Sequence, residues 1–325
     1  MGNNKLLEIK NLCIQYKTDD GVVHAVQNLN LSLGKKETLG LVGETGAGKT
    51  STALGIMQLI QEPVGKITSG EIIFNDEDLL KKSKKEMRNV RGKDISMIFQ
   101  DPMTSLDPVQ TVGDQIAEVI LLHKNVSKKE AFNLAKEMLE KVGIKGERAK
   151  SYPHEFSGGM KQRVVIAIAL ACDPNFLIAD EPTTALDVTI QAQVLELMTK
   201  LKEEYGTSMI LITHDLGIVA ETCDKVAIMY AGAIVEYGEK VSLYENPSHP
   251  YTQGLFNSIP DLESDDKRLN EISGLPPDPT NLPKGCSFYP RCPKAMDKCA
   301  SNKPNEHKLN GDHYVKCFLF EKGNK

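Results

Sequence analysis

Two short stretches combine residue types and spacings suited to phosphate chemistry. The first is GETGAGKT at 43–50, which follows the apolar run TLGLV and precedes STALGIMQLI. That context predicts a strand, a glycine loop and a helix in succession. Gly43, Gly46 and Gly48 let backbone N–H groups close around phosphate oxygens, and the helix N-terminus adds partial positive charge. Lys49 is placed to reach the β- and γ-phosphates, and Thr50 to give its hydroxyl to Mg²⁺. A glycine-rich turn can match this pattern by chance, but a second stretch weighs against chance. FLIADE at 176–181 is an apolar run ending in two carboxylates. It predicts a buried strand with Asp180 near the metal and Glu181 close to an attacking water.

A third stretch, SGGMKQR at 157–163, lies shortly before those carboxylates. Two glycines at a helix start, with Ser157 as cap, make a second phosphate-facing helix N-terminus. One nucleotide does not need two such ends from one chain. A fourth feature is the spacing C-x₅-C-x₆-C-x₁₇-C formed by Cys286, Cys292, Cys299 and Cys317. Four thiolates can close around Zn²⁺ or an iron–sulfur cluster. Structural zinc expects tighter C-x₂₋₄-C pairs, and His313 is a possible substitute ligand should Cys317 point away. Pro290 and Pro293 flank Cys292 and help to fix that loop.

The elements that must position these groups follow from hydrophobic pattern. LEIKNLCIQY at 7–16 alternates as a strand does, and GVVHAVQNLNLSL at 21–33 continues after a turn signal, which predicts an antiparallel β start. The runs at 38–43, 95–100, 176–180 and 209–214 read as fully buried parallel strands. Between the second and third lies a helical subdomain, about residues 101–172, in which Ser127 and Glu130 have capping-box spacing. Ala131, Leu134, Ala135, Met138 and Val142 line one helical face there. Ten of the sixteen prolines fall in the last eighty residues, which places a domain boundary near 245.

Bulk properties narrow the class. A chain of 325 residues, 40% hydrophobic and 26% charged, is long enough for one large domain and a smaller one. No apolar run approaches a spanning helix and the start MGNNKLLEIKN has no signal-peptide pattern, so a soluble intracellular protein is expected. The net charge of −5, with Lys and Arg spread along the length, lacks the footprint of a nucleic-acid binder. Cys13, Cys172 and Cys223 read as ordinary reduced thiols.

With these motifs in order, residues 5–245 resemble the ATP-binding subunits of ABC transporters, whose LSGGQ signature stands here as FSGGM at 156–160. The resemblance implies an α/β fold: a P-loop NTPase core of ABC type with an antiparallel β subdomain, a helical subdomain and a small irregular C-terminal extension. It assigns nucleotide binding to Tyr16, as the aromatic on adenine, and to the loop Gly43, Glu44, Thr45, Gly46, Ala47, Gly48, Lys49, Thr50 and Ser51. Gln100 matches the Q-loop and would touch Mg²⁺ with Thr50 and Asp180. Asp187 matches the D-loop, and His214 the switch histidine beside the γ-phosphate. Taken singly, Tyr16, Gln100 and His214 read more simply as a strand aromatic, a surface polar residue and a strand-end histidine. In a sandwich dimer, Ser157, Gly158, Gly159 and Met160 would cover the ATP bound by the partner, and the retained Glu181 and His214 imply catalytic competence.

PSHPYTQGLFNSIP at 247–260 and GCSFYPRCPKAMDKC at 285–299 resemble the C-terminal extension of the ATPases in bacterial oligopeptide and dipeptide importers. The resemblance implies ATP and Mg²⁺ as cofactors and a [4Fe–4S] cluster on Cys286, Cys292, Cys299 and Cys317, with Zn²⁺ or free thiols as alternatives. It implies a second homologous ATPase, two permeases, an extracytoplasmic binding protein reached through them, and a peripheral place on the cytoplasmic face of the membrane. Nickel importers share much of this extension. A soluble non-transport ABC ATPase and a sensor that binds ATP without hydrolysing it are the remaining readings.

Overall fold

The computed structural model describes residues 5–184, 186–258 and 272–321. The chain crosses five times between two compact units, each built from three segments. The first comprises Met1–Leu6, Leu33–Thr38 and Lys81–Ile212, and the second Leu7–Ser32, Leu39–Leu80 and Thr213–Lys325. Ile259 and Pro260, the end of the stretch matched to the importer extension, lie outside the described residues, as do 261–271 and Ala185.

In the first unit the strand Phe176–Asp180 lies in parallel register between Ile95–Ile98 and Ser208–Thr213, with Ile95 opposite Phe176 and Asp180 opposite Ile212. All five residues of FLIAD and all six of SMILIT are buried. Parallel strands are covered on both faces, which is why they appear in sequence as unbroken apolar runs. The helices Val112–His123, Lys128–Lys141, Gly158–Leu170 and Val188–Tyr205 start on Thr111, Ser127, Ser157 and Asp187. Each of these side chains accepts a hydrogen bond from a first-turn N–H, relieving donors that the helix cannot satisfy itself. The Ser127 cap accepts from the Glu130 N–H at 3.2 Å. On that helix Ala131, Ala135 and Met138 are buried as expected, as is Val142 at its C-cap, while Leu134 is half-buried and Leu139 is buried in addition.

The second unit holds an antiparallel sheet in which Lys5–Thr18 lies between Gly21–Gly34 and Gly65–Phe74, with Glu77–Asp78 at the edge. It also holds a run of strands in which residues 39–42 pair in parallel with Lys225–Tyr230, with Leu39 opposite Lys225 and Val42 opposite Ile228. The run continues antiparallel through Ala233–Glu239 to Tyr314–Val315 and His307–Lys308. The C-terminal segment therefore extends the strands that carry the glycine loop. Among the described residues, no helix is long and apolar enough to cross a membrane.

Candidate functional site

The glycine loop forms as its residues require. Thr38–Val42 is buried throughout and delivers the chain to the loop, and the helix Lys49–Ile56 begins immediately after Gly48. Gly48 has φ of 103°, a left-handed conformation open to glycine, and a Cβ there would lie 2.2 Å from the Ala25 carbonyl oxygen. At Gly43 a Cβ would lie 2.1 Å from the Met229 carbonyl oxygen. Gly46 has φ of 81° and nothing within 4 Å of the corresponding position, so this edge of the loop is open. Gly48 offers the helix no side-chain cap, leaving its first-turn amides available to an anion. The Lys49 ammonium is buried and donates to the carbonyl oxygens of Gly43 at 2.6 Å and Glu44 at 3.0 Å. Thr45 and Thr50 are exposed, Ala47 is buried, and Ser51 is half-buried on the first helical turn.

Tyr16 belongs to the same unit, opposite Gly65 on the neighbouring strand. A Cβ on Gly65 would come within 2.8 Å of the Tyr16 ring, so the glycine makes room for the aromatic face. His214 is exposed directly beyond Ser208–Thr213, one residue past the strand end rather than in it. It precedes the helix Leu216–Thr222, whose cap Asp215 accepts from the N–H groups of Gly217 and Ile218 at 2.8 and 3.2 Å.

In the other unit the structure joins two residues that the sequence left apart. The strand Ile95–Ile98 stops two residues short of the expected run, and Gln100 follows it in the loop. Its side-chain amide donates to Glu181 Oε2 at 3.0 Å, and the Thr184 hydroxyl donates to the same oxygen at 3.0 Å. Asp180 is buried at the strand end. Glu181 turns out of the strand with φ of 46°, a conformation that costs a non-glycine residue energy and recurs at functional positions. Its N–H donates to the Ile212 carbonyl at 2.9 Å, which holds the turn.

Ser157 and Gly158 are exposed at the start of Gly158–Leu170, and Ser157 Oγ accepts from the Met160 N–H at 3.4 Å. A Cβ on Gly159 would meet Ile190 Cγ2 at 2.5 Å, so the glycine lets two helices approach closely. Asp187 is exposed and accepts from the Ile190 N–H at 3.0 Å, a helix-capping role visible in this chain by itself.

The four C-terminal cysteines come together. Cys286, Cys292, Cys299 and Cys317 line one cavity of about 10 Å³ with Phe288, Met296 and Phe318. Burial raises the Cys286 and Cys292 thiols above their ordinary range and pushes Cys317 up to about 11, with the neighbouring sulfurs adding to the effect. Among the described residues no three His, Cys, Asp or Glu side chains are set to hold a single metal ion.

His313 does not serve as a substitute ligand. It is 3% exposed, and its Nε2 lies 2.7 Å from Glu236 Oε1. Glu236, 1% exposed, also accepts from the backbone N–H groups of Ser248 and His249 at 2.7 and 2.8 Å. A buried carboxylate requires such partners, and this one fixes a histidine that the sequence had placed beside the thiols. His249 caps the helix Pro250–Asn257 by accepting from the Tyr251 N–H at 3.0 Å. Burial pushes its imidazole down to about 4, although nearby Glu236 favours the charged form.

Residues 26–184 match the family described as ABC transporter. The dimeric, post-hydrolysis structure of the ATP-binding cassette MJ0796 bound to ADP and Pi aligns with a TM-score of 0.65 at 27% identity, over 72% of this chain and 98% of that one. Fold and glycine loop together define an ABC transporter ATPase. Residues 235–299 match the oligopeptide/dipeptide transporter C-terminal region. The chain is 51% identical to the oligopeptide transport ATP-binding protein AppD of Bacillus subtilis (strain 168), over 97% of each chain. It is 50% identical to the dipeptide transport ATP-binding protein DppD of the same strain, over 97% of this chain and 95% of that one. The chain belongs to the family of oligopeptide and dipeptide transport ATP-binding proteins.

Proposed function

We propose that this chain hydrolyses ATP to power uptake of oligopeptides or dipeptides through a membrane importer, as one of two ATPase subunits. The observation that carries the reading is the joint match of cassette and C-terminal extension to peptide-transport ATP-binding proteins along nearly the whole chain. The nucleotide-binding domain is residues 1–245, and 246–325 form the importer extension. Lys49 and the loop amides bind the phosphates, Tyr16 supports the adenine, and Thr50, Gln100 and Asp180 hold Mg²⁺. Glu181 orients or deprotonates water, and His214 contacts the γ-phosphate. Ser157, Gly158, Gly159 and Met160 cover the nucleotide of a homologous partner, with Asp187 coupling the two subunits. The chain sits on the cytoplasmic face through two permeases, which receive solute from an extracytoplasmic binding protein.

The test is uptake of a labelled peptide in cells lacking this subunit. The wild-type chain should restore uptake and Lys49→Ala should not, while nickel accumulation stays unchanged in both. Restoration of nickel rather than peptide uptake would overturn the substrate assignment.

A [4Fe–4S] cluster on Cys286, Cys292, Cys299 and Cys317 is the reading their chemistry supports, since four thiols supply its complete donor set. When bound, the cluster would staple a proline-rich, loop-heavy segment, since metal binding supplies folding free energy. Protein purified without oxygen should contain about four irons and four acid-labile sulfides per chain, as the cluster formula requires. A single zinc, or no metal, would reject the cluster and leave the ATPase assignment in place.

A further inference from the structure

We propose that Arg291 and Tyr251 are positioning residues for the phosphate loop, making the four-cysteine segment part of the nucleotide site's support. The proposal rests on GETGAGKT being the nucleotide loop. Glu44, the second residue of that loop, is held at both ends. Its backbone N–H donates to the Tyr251 hydroxyl at 3.0 Å. Its carboxylate accepts from the two terminal nitrogens of Arg291, at 2.7 and 3.0 Å. Glu44 also presents its carbonyl oxygen to the Lys49 ammonium at 3.0 Å. One residue thus links the C-terminal segment to the lysine expected to meet the phosphates.

The geometry differs from that of an ordinary surface ion pair. The Arg291 side chain is 4% exposed, and the Glu44 side chain 28%. Besides its two bonds to Glu44, the guanidinium donates to the Tyr230 hydroxyl at 3.3 Å and to the carbonyl oxygens of Ile272 and Ser273, each at 3.2 Å. Those bonds engage all five guanidinium N–H donors, so the fork has one orientation and the carboxylate is fixed with it. A lysine has the charge but not the fork.

Arg291 is delivered by a 3₁₀ turn, Tyr289–Arg291, placed between two of the cysteines. The Tyr289 N–H donates to the Cys286 carbonyl at 3.0 Å, and the Cys292 N–H to the Tyr289 carbonyl at 3.3 Å. Phe288 lines the cysteine cavity, and its ring lies 5.2 Å from that of Tyr230 and 5.4 Å from that of Tyr251. Whatever alters the packing of the cavity therefore acts on both holds of Glu44.

The test measures affinity of the full-length chain for a fluorescent ATP analogue, together with thermal melting without nucleotide. Arg291→Met should weaken binding about tenfold, the scale of a lost hydrogen-bonded charge contact, and Arg291→Lys should recover only part of it. Glu44→Gln should weaken binding similarly, and adding it to Arg291→Met should cause little further loss. Cys292→Ser should weaken binding in the wild-type background but not in Arg291→Met. A role confined to stability would lower the melting temperature and leave affinity of the folded protein unchanged; that result, or additive losses in the double variant, would overturn the proposal. Should Cys292→Ser fail to fold, the Arg291 and Glu44 pair still decides it. Lys49→Ala distinguishes the underlying reading, because undiminished binding by that variant would displace the nucleotide from the loop altogether.

Discussion

Glu181→Gln is expected to bind Mg²⁺ and ATP as the wild type does and to hydrolyse ATP about 10²–10⁴ times more slowly, the usual contribution of a positioned acid–base group. The substitution is close to isosteric and keeps an oxygen able to accept from Gln100 and Thr184, each 3.0 Å from Glu181 Oε2. The turn at φ of 46° is held by a backbone bond to Ile212 that the side chain does not touch. Loss of turnover would therefore report loss of the base and not of the fold. Phosphate release and equilibrium nucleotide binding, measured on one preparation of the assembled importer, check both halves. Near-normal release would remove Glu181 from the water-activating role.

Glu236→Ala should destabilise the second unit by about 3–5 kcal/mol, since each buried donor left without its acceptor costs about 1–3 kcal/mol. Three donors lose their acceptor at once: His313 Nε2 and the backbone N–H groups of Ser248 and His249. By contrast, Lys10 and the half-buried Glu8 form a solvent-accessible pair at 3.1 Å, of a kind worth about 0–1 kcal/mol. Urea unfolding followed by near-ultraviolet circular dichroism would register the difference, and a change below about 1 kcal/mol would show that the cluster is dispensable. The same cluster makes the wild type acid-sensitive. His249 is held neutral down to about 4 in the folded chain, against an ordinary value of 6.5. The unfolded chain takes up that proton first, so this contribution is complete above about pH 6.5 and is lost as pH falls towards 4.

Much of this organisation was legible in the sequence where the determinants are local. A glycine loop between an apolar run and a helix start needs no distant partner to be recognised, and neither do Ser127 and Ser157, which cap helices through residues three positions away. The runs at 38–43, 176–180 and 209–214 were visible, to within a residue of the observed strands, because a strand buried on both faces has no polar alternation. The determinants that escaped are long-range. The Gln100 and Glu181 contact spans 81 positions, His313 to Glu236 spans 77, and Arg291 to Glu44 spans 247. Histidine in a cysteine-rich tail suggests a ligand, and only the placement of a carboxylate on the distant strand Ala233–Glu239 shows otherwise.

The order in which the chain is laid out also constrains its birth on the ribosome. The unit that carries the glycine loop uses Leu39–Leu80 and then nothing until Thr213–Lys325. Its Arg291 clasp and its last strand, Tyr314–Val315, are translated more than two hundred residues after the loop they support. At synthesis rates of roughly 5–20 residues per second, the nascent loop waits on the order of ten seconds or more for its support. During that interval Lys81–Ile212, most of the other unit, emerges, while the apolar strand Thr38–Val42 that leads into the loop still lacks its neighbour Lys225–Tyr230.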